Sequence, residues 1–486
     1  MTHPTILKRP FSSIWIFRIF TTMILVGVII VVIQRVEKPL CDKCNVILVS
    51  LDTLSALHLP CYGYGRNTAP NLCSFAEKNL LFYNTYSQAP ITLDSHFSIF
   101  TSLYPHTHQM IKILEDPLDR KYLTLPQIFQ SNDYQTLYHG ILNQDHLPLN
   151  RGIERGFNYL EGDSTIDTWD KAYARILDFA DNKKPFFAFL HTYAVHAPYL
   201  TGHLNHPFIQ GKEDPNIALT NYEFNSYTFE FLKYAAKLIQ NKNNLLINSH
   251  SKEKDYILAS QVLNQTNFAD ALVLYNQITD ATKARCRVQW YWDKINKNDP
   301  NQVDYVKALY DEKILQLDTK LEALFSLLQN PKLKNNTIVV ITSDHGEEFM
   351  EHGHFDHGSD LYATQTRIPL IIHVPGVAAK KITQMTQSID IYPTVLALTG
   401  LRPNSRIEGL NLLDVVKGKK NAQANNFLLS EFMGMKGIQM GKWRYYTDSK
   451  NSTEELYDLS TDPTEQINVL NNESGVVAEI KRVSKL

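Results

Sequence analysis

Carboxylate and imidazole side chains follow long apolar runs at three places in this 486-residue chain. Asp52 follows the run "NVILVSL", Asp344 and His345 follow "NTIVVITS", and His196 comes shortly after "PFFAFL". Two carboxylates and one imidazole are ligands that bind Mn²⁺, Zn²⁺, Mg²⁺ or Ca²⁺ in proteins. These residue types in these positions predict one divalent metal site built from Asp52, Asp344 and His345.

The segment "ITLDSHFSIFTSLYP", from Ile91 to Pro105, offers a hydroxyl that could complete the metal site. Its polar residues, followed by the apolar pair Ile99 and Phe100, are typical of the first turn of a buried helix. Metal binding would lower the pKa of the Thr92 hydroxyl, which could then attack the phosphorus or sulfur of an ester. Taken alone, the segment is also explained by a helix cap, so the nucleophile hypothesis depends on the other motifs.

A third polar cluster, "SDHGEEFMEHGHFDHG" from Ser343 to Gly358, contains four histidines among repeated acids. So many ionisable groups in a short stretch favour a functional site over a plain surface loop. We predict that His357 in this cluster and His196 in the motif "HAPY" contact the developing negative charge or protonate the leaving group. A simple loop is the alternative for "HAPY".

The elements that must position these residues are buried strands alternating with amphipathic helical stretches, such as residues 305–328. This alternation predicts an α/β fold with a doubly wound, mostly parallel sheet, in which ligands gather at the carboxyl ends of the strands. Residues 201–299 are rich in Asn, Lys and Gln and predict a mostly helical insertion, while short strand-like pieces after residue 425 predict a small antiparallel sheet. The predicted parts are an N-terminal segment (1–44), a catalytic domain (45–424) and a C-terminal subdomain (425–486).

The N-terminus carries the uncharged apolar segment Ile19–Ile33. With Arg18 tolerated near one end, it approaches the length that a membrane-spanning helix needs. Basic residues precede the segment, and the charges behind it roughly cancel. This asymmetry predicts a single-pass membrane anchor with the catalytic domain periplasmic or extracellular. A buried core helix is the alternative.

Composition argues against one class of partner and indicates which disulfides could form. The net charge of -2 and the absence of a dominant basic run argue against general nucleic-acid binding. The five cysteines allow two local disulfides, Cys41 with Cys44 and Cys61 with Cys73, and leave Cys286 over. A redox role for the "CDKC" motif is the alternative to a structural disulfide.

The motifs taken together resemble the sulfatase family of the alkaline phosphatase superfamily. "NVILVSLDTL" resembles the family's first strand with its metal aspartate, and "SDHGEEFMEHG" resembles the second metal motif. "CYGYGRNTAPNL", "IDIYPTVLALTGL" and "EELYDLSTDPTEQINVL" are similar to further family signatures in the same order. The resemblance covers nearly everything after residue 44 and implies a metal-dependent ester hydrolase or transferase.

Several positions depart from the family pattern. Sulfatases carry a Cys or Ser, converted to formylglycine, at the start of a C/S-x-P-S-R motif; here "TLDSH" places Thr92 in that position and His96 in place of the Arg. Thr cannot become formylglycine, because its extra methyl group would give a ketone. Thr53 stands for the second metal aspartate, and His357 stands where the family often has Lys. Ile141 and Asn143 replace a Lys and a His that contact sulfate in the family.

These departures favour phosphate-type esters over sulfate esters. The prediction is a metal-dependent hydrolase or phosphoryl-group transferase with Thr92 as the nucleophile, His196, His357 and His96 as further catalytic residues, and Asp52, Thr92, Asp344 and His345 as metal ligands. The substrate would be a small-molecule, lipid or glycan ester of the cell envelope. The alternatives are a sulfatase that works without formylglycine and a sulfatase-like binding protein without turnover.

Overall fold

The computed structural model describes residues 39–110, 117–140, 151–162, 166–199, 207–209, 227–241, 251–419 and 425–484. These residues contain an eight-stranded sheet. Its strands are β1 (Asn45–Leu51), β2 (Leu80–Tyr86), β3 (Gln135–Gly140), β4 (Tyr159–Gly162), β5 (Phe186–Thr192), β6 (Thr337–Thr342), β9 (Arg367–His373) and β10 (Lys380–Gln387), while β7 (Glu348–Phe349) and β8 (Phe355–Asp356) form a separate antiparallel pair. The strand order in the large sheet is β10-β2-β9-β6-β1-β5-β3-β4. Strand β9 is antiparallel to β2 and β6, whereas the other neighbouring pairs are parallel. The predicted mostly parallel α/β fold is therefore confirmed.

The continuous apolar runs form strands because both faces of the sheet are covered. In β1, Ile47 and Val49 belong to the core on one face, and Val46 and Leu48 belong to the core on the other. The first core is closed by the helices Trp169–Asp181 and Pro300–Leu327, and the second by Thr92–Thr101, Leu125–Gln130 and Ile391–Leu398. The shorter helices are Pro70–Glu77, Pro105–His108, Ala363–Thr366 and Leu413–Val416.

Four further helices form most of the described part of the insertion: Phe229–Gln240, Glu253–Asn264, Phe268–Tyr275 and Asp280–Asp293. They enclose a small core of their own, which includes Leu232, Val262 and the free, buried Cys286. A four-stranded antiparallel sheet follows near the C-terminus, with strands β11 (Leu428–Phe432), β12 (Met435–Met440), β13 (Trp443–Asp448) and β14 (Thr453–Asp458), and the helix Ser474–Ser484 packs beside it. The helical insertion and the small C-terminal sheet were both predicted.

Both disulfides that the cysteine spacing allows are present. Cys41 is bonded to Cys44 just before β1, and Cys61 is bonded to Cys73 across the turn that leads into the helix Pro70–Glu77. Each bridge joins residues that are near in sequence, so each fixes a local loop rather than tying distant parts of the fold together. The structural interpretation of the "CDKC" motif is confirmed.

The predicted single-pass membrane protein with a periplasmic or extracellular domain is corrected. Among the residues that the structure describes, no helix is both long and apolar enough to cross a bilayer. The longest of them, Pro300–Leu327, has 28 residues but carries charged side chains along its length, including Asp304, Lys307 and Asp311. The segment Ile19–Ile33, on which the anchor prediction rested, lies outside the described residues.

Candidate active site

The candidate ligands meet where three adjacent strands of the sheet end. The central order β6-β1-β5 brings together the carboxyl ends of the runs that precede Asp344, Asp52 and His196. Parallel pairing puts those ends on the same edge of the sheet, because Ser50 is level with Thr342 in β6 and with His191 in β5. This edge is the usual place for a ligand site in a doubly wound sheet.

Thr92 joins this group from the start of the helix Thr92–Thr101. Its Oγ1 lies 3.4 Å from Asp52 Oδ2 and 3.4 Å from His345 Nε2. Ile91 occupies the cap position and no side chain caps the helix, so Thr92 is not the helix cap that the sequence alone allowed. The structure brings the four predicted metal ligands into one buried cluster.

The donor atoms of this cluster fit a divalent cation. Asp52 Oδ1 and Asp344 Oδ2 are buried and have no hydrogen-bond partner among the described residues. Burial and the neighbouring charge of Asp344 raise the pKa of Asp52 well above its ordinary value. Two adjacent carboxylates with unpaired oxygens are costly in a buried site unless a cation compensates them. A metal held by Asp52, Thr92, Asp344 and His345 would remove this cost.

The imidazole of His345 is prepared for a ligand role. Its Nδ1 is 2.9 Å from the Gly346 carbonyl oxygen, which leaves Nε2 directed at Thr92 and Asp344. Burial lowers the pKa of His345 to about 4, so the ring is neutral at pH 7, as a metal ligand must be. Gly346 is required here because a Cβ atom would lie 2.2 Å from the Thr364 carbonyl oxygen.

His96 contacts the backbone of Thr92 and not its side-chain hydroxyl. Its Nδ1 is 2.8 Å from the Thr92 carbonyl oxygen, its Nε2 is 3.0 Å from Ser50 Oγ, and the residue is fully buried. Burial lowers the pKa of this imidazole. With both ring nitrogens hydrogen-bonded, His96 connects the helix Thr92–Thr101 to β1, which suits a role in holding Thr92 in place.

Sequence reasoning missed two residues on β5 and the loop that follows it. His191 Nε2 lies 3.0 Å from Asp52 Oδ2, on a carboxylate predicted to bind the metal. Tyr193 is buried beside Thr92: burial raises its pKa, the charges of Asp52 and Asp344 raise it further, and a hydrogen bond with Thr92 opposes them. The available signal for His191 was a single imidazole inside the otherwise apolar strand "FFAFLHT".

We predict that His191 supports the metal site through Asp52. Replacing it with Leu removes the hydrogen bond to Oδ2 and should weaken metal binding by about 10–100-fold, as is typical for partners of metal ligands. Gln at this position can still donate to Asp52 and should stay within a few-fold of the parent protein. Calorimetric titration of the metal-free protein with Mn²⁺ and Zn²⁺ measures the difference.

His108 provides the matched control for this experiment. It is also a buried imidazole, but it is hydrogen-bonded to Ser98 Oγ at 3.0 Å and to Met110 N at 3.2 Å, away from the metal cluster. His108→Leu should cost stability while leaving metal affinity unchanged. Equal metal affinity in His191→Leu and the parent protein would show that His191 has no part in the site.

Two more histidines extend the site away from the metal cluster. The ring centroids of His345 and His357 are 4.3 Å apart, and those of His357 and His196 are 5.1 Å apart. His196 Nδ1 is 2.6 Å from the Ala197 carbonyl oxygen, so a proton delivered to a substrate would come from Nε2. The structure therefore brings His196 and His357 together beside the metal cluster.

Acidic residues hold His357 on its other side. His357 Nδ1 is 2.9 Å from Asp356 Oδ1 and 3.1 Å from Glu347 Oε1, and the Tyr199 hydroxyl donates to Glu347 Oε2 at 2.7 Å. Burial alone would lower the pKa of His357, but the charges of Asp356 and Glu347 raise it to about 10. Asp356 and Glu347 were not assigned from sequence, although both belong to the acid-rich run that marked the region.

Thr53 occupies the position of the family's second metal aspartate, so no carboxylate is present there. Thr53 has a backbone φ of 57° and donates its N–H to Asp344 Oδ1 at 3.2 Å. A positive φ is unusual for a β-branched residue, and such strain is concentrated at functional sites. The backbone of Thr53 thus orients a predicted ligand. Ile141 and Asn143, the other replacements, lie outside the described residues.

A buried acid–imidazole cluster with a hydroxyl beside it, at the carboxyl edge of a doubly wound sheet, is typical of metal-dependent ester hydrolases. The chain belongs to the sulfatase family. The family model described as Sulfatase matches residues 44–401, and a second model, described as N-sulphoglucosamine sulphohydrolase, C-terminal, matches residues 350–485. This protein is therefore a sulfatase-family hydrolase, as the sequence motifs indicated.

Individual relatives are distant but cover most of the chain. Arylsulfatase K of Gallus gallus is 25% identical over 460 residues, which cover 88% of this chain and 79% of the relative. The solved structure of BT4656 in complex with its substrate D-glucosamine-2-N,6-O-disulfate has a TM-score of 0.64 at 19% identity, covering 90% of this chain and 96% of that one. The phosphonate monoester hydrolase of Agrobacterium radiobacter has a TM-score of 0.61 at 17% identity, covering 91% and 94%. Together with the family match, the relatives favour the sulfate-ester alternative over the predicted phosphate-type ester.

Proposed function

We propose that this chain hydrolyses sulfate monoesters of glycans, with Thr92 as the nucleophile at a divalent metal site. The observation that carries the proposal is the position of Thr92 Oγ1, 3.4 Å from both Asp52 Oδ2 and His345 Nε2. The glycan substrate is supported by the relatives: one was solved with a disulfated glucosamine, and the C-terminal family model is named for N-sulphoglucosamine.

A bound divalent cation would lower the pKa of the Thr92 hydroxyl and offset the charge of the sulfate oxygens. The Thr92 hydroxyl loses its proton to solvent, Oγ1 attacks the sulfur, and the bond from sulfur to the sugar oxygen breaks. Protonated His196 Nε2 gives a proton to the departing oxygen. Water next attacks the sulfothreonine sulfur while the same nitrogen takes its proton, and the bond to Oγ1 breaks to leave the Thr92 oxyanion, which is ready for the next cycle or regains its proton from solvent.

His357 is assigned to binding the anionic end of the substrate. It occupies the position where the family often has Lys, and two carboxylates hold its Nδ1 at 2.9 and 3.1 Å. An imidazolium anchored in this way can offer its other nitrogen to a sulfate oxygen as a charge-assisted hydrogen bond. The fixed ring would bind the same sulfate oxygen that a Lys ammonium group would bind, and it would hold that oxygen in a better-defined orientation.

Phosphoester or phosphonate hydrolysis is the second candidate, because Thr92 cannot be converted to formylglycine. The phosphonate monoester hydrolase among the similar structures adds support through its fold. An unmodified hydroxyl is an ordinary nucleophile for phosphoryl transfer, so the same site could serve either ester. The rates of sulfate-ester and phosphate-ester hydrolysis must therefore be compared with the same protein and with substrates that share a leaving group.

The deciding experiment measures kcat/KM for 4-nitrophenyl sulfate, 4-nitrophenyl phosphate and glucosamine 6-sulfate with metal-loaded protein. We expect the aryl sulfate to exceed the aryl phosphate by at least about tenfold, which is about 1.4 kcal/mol in transition-state binding. We also expect a burst of 4-nitrophenol, because hydrolysis of an alkyl-type sulfothreonine should be slower than its formation from an aryl ester. High-resolution mass spectrometry should find sulfate on Thr92.

Two other results would each support one of the alternative functions. A preference for the phosphate ester, with phosphothreonine at position 92, would replace the proposal with the phosphoesterase. Stoichiometric binding of sulfated glucosamine without turnover of any ester would identify a sulfatase-like binding protein instead.

A further inference from the structure

We propose that Arg285, on the helix Asp280–Asp293 of the insertion, is a positioning residue that holds the His357 imidazole in the site through Asp356. The inference rests on the proposed function, because His357 is assigned there to the substrate. It adds a part of the chain that neither the sequence motifs nor the metal cluster include. Arg285 itself lies behind His357 and acts only through Asp356.

The contacts form a continuous path from the insertion to the site. Arg285 Nη2 is 3.4 Å from Asp356 Oδ2, and the other oxygen of the same carboxylate, Oδ1, is 2.9 Å from His357 Nδ1. The Arg285 side chain is 17% exposed and that of Asp356 is 9% exposed, so the contact is shielded from solvent. Asp356 thus forms an ion pair through each of its oxygens, with the guanidinium on one side of the carboxylate group and the imidazole on the other, and this restricts how the His357 ring can turn.

A second carboxylate makes this restraint necessary. His357 Nδ1 is hydrogen-bonded to Glu347 Oε1 at 3.1 Å, whereas its contact with Asp356 Oδ1 is an ion pair without a hydrogen bond. The Tyr199 hydroxyl donates to the other oxygen of Glu347 at 2.7 Å, and the Arg285 guanidinium contacts the other oxygen of Asp356. Without Arg285, Asp356 would be free to turn away, and Glu347 alone would hold the ring.

The charges point to the same role. Asp356 has a backbone φ of 77° and follows Phe355 in the two-residue strand β8 (Phe355–Asp356), so its side chain is directed into the cluster by a strained backbone. Two buried carboxylates facing one imidazole are short of positive charge, and Arg285 supplies it. The cluster Glu347, Asp356 and His357 also has the geometry of a metal site. The guanidinium beside Asp356 already provides the cation that such a site would need.

The main test compares Arg285→Gln, Arg285→Lys and Arg287→Gln. Arg287 is the matched control because it lies on the same helix and contacts the Tyr227 hydroxyl at 3.3 Å, within the insertion. We expect Arg285→Gln to lower kcat/KM for glucosamine 6-sulfate by roughly 100-fold, the usual effect of misplacing a reacting group by about 1 Å. Arg285→Lys keeps the charge and should recover most of the loss, while Arg287→Gln should stay near the parent value.

Two readouts separate positioning from a structural contact. In ¹⁵N-histidine NMR spectra of the full protein, the Nδ1 proton of His357 should show the downfield shift of a carboxylate-bonded proton, which Arg285→Gln should move and Arg287→Gln should not. The losses in Arg285→Gln and Asp356→Asn should not multiply in the double variant, because both act on the same ring. Elemental analysis should find one metal per chain in every variant.

The proposal is overturned by either of two results. Arg285→Gln could match Arg287→Gln in both kinetics and spectrum, or its loss could multiply with that of Asp356→Asn. A parent protein that turns over no ester would contradict the proposed function, but the NMR comparison would still decide whether Arg285 sets the orientation of His357. Metal content that rises by one equivalent in Arg285→Gln would instead assign the cluster as a second metal site that the guanidinium occupies in the parent protein.

Discussion

Thr92→Ala is expected to lower kcat for sulfate-ester hydrolysis by roughly 10³–10⁶-fold, the range seen when a covalent nucleophile is removed. The variant loses both the attacking oxygen and one predicted metal ligand, so a second variant is needed to separate the two effects. Thr92→Ser keeps the oxygen and removes only a methyl group. It should retain substantial activity, because the sequence around it, "TLDSH", lacks the Pro and Arg of the motif that directs formylglycine formation.

Thr101→Ala serves as the control at the other end of the same helix. Thr101 is buried, and its Oγ1 donates to the Phe97 carbonyl oxygen at 2.6 Å, far from any predicted ligand. The change should cost about 1 kcal/mol of stability and leave kcat unaffected. If Thr92→Ala hydrolysed every tested ester as fast as Thr101→Ala, Thr92 would not be the nucleophile.

Asp344→Ala is expected to abolish metal binding and activity together. Asp344 offers Oδ2 to the cluster and holds its other oxygen on the backbone N–H groups of Thr53 and His345, at 3.2 and 2.9 Å. Losing a ligand should weaken metal affinity by more than the roughly 10–100-fold typical of residues outside the ligand set. Elemental analysis after dialysis should therefore find near-stoichiometric metal in the parent protein and little in the variant.

Stability measurements provide an independent check on the metal. A metal present at 100 times its Kd stabilises the folded chain by about 2.7 kcal/mol, so a chelator should lower the Tm of the parent protein but not that of Asp344→Ala. Asp318→Ala is the matched control, because this buried carboxylate accepts from the N–H groups of Asn71 and Leu72 at the start of a helix. It should be less stable yet keep its metal. Full metal content in Asp344→Ala would contradict the ligand assignment.

The parts of the site that follow strands could be predicted from the sequence. Asp52 and Asp344 end continuous apolar runs, and parallel pairing of such runs places their carboxyl ends side by side. Thr92 could be proposed for a similar reason, since a polar cluster before an apolar run marks the beginning of a helix. These predictions needed only local patterns and the usual geometry of a parallel sheet.

The remaining residues could not be found in this way, because their roles depend on pairing between distant segments. His191 is an isolated imidazole in an apolar strand, and only its distance of 3.0 Å from Asp52 gives it a role. Arg285 is one of many basic residues in a polar insertion, and its partner Asp356 lies on a hairpin about 70 residues later. Periodicity and composition carry no information about such contacts. The assignments of His96, His196 and His357 as catalytic residues remain predictions.

The chemistry was harder to predict than the fold for a different reason. A hydroxyl beside a metal can attack phosphorus or sulfur, and the choice depends on how the site binds the rest of the ester. The sequence drew attention to Thr92 and therefore favoured phosphate. The family match covers residues 44–401 and gives more weight to sulfate.

The strand order also determines when the central strand can pair during synthesis on the ribosome. β1 lies at the centre of the sheet, but one of its two neighbours, β6, begins about 290 residues later in the chain. At about 5–20 residues per second, a ribosome needs roughly 15–60 s to produce the missing partner. During that time the edge of the mostly apolar β1 that faces β6 has no native neighbour, which exposes it to pairing with other chains. We expect the nascent protein to depend on chaperones until β6 emerges, and the active site to form only after that point.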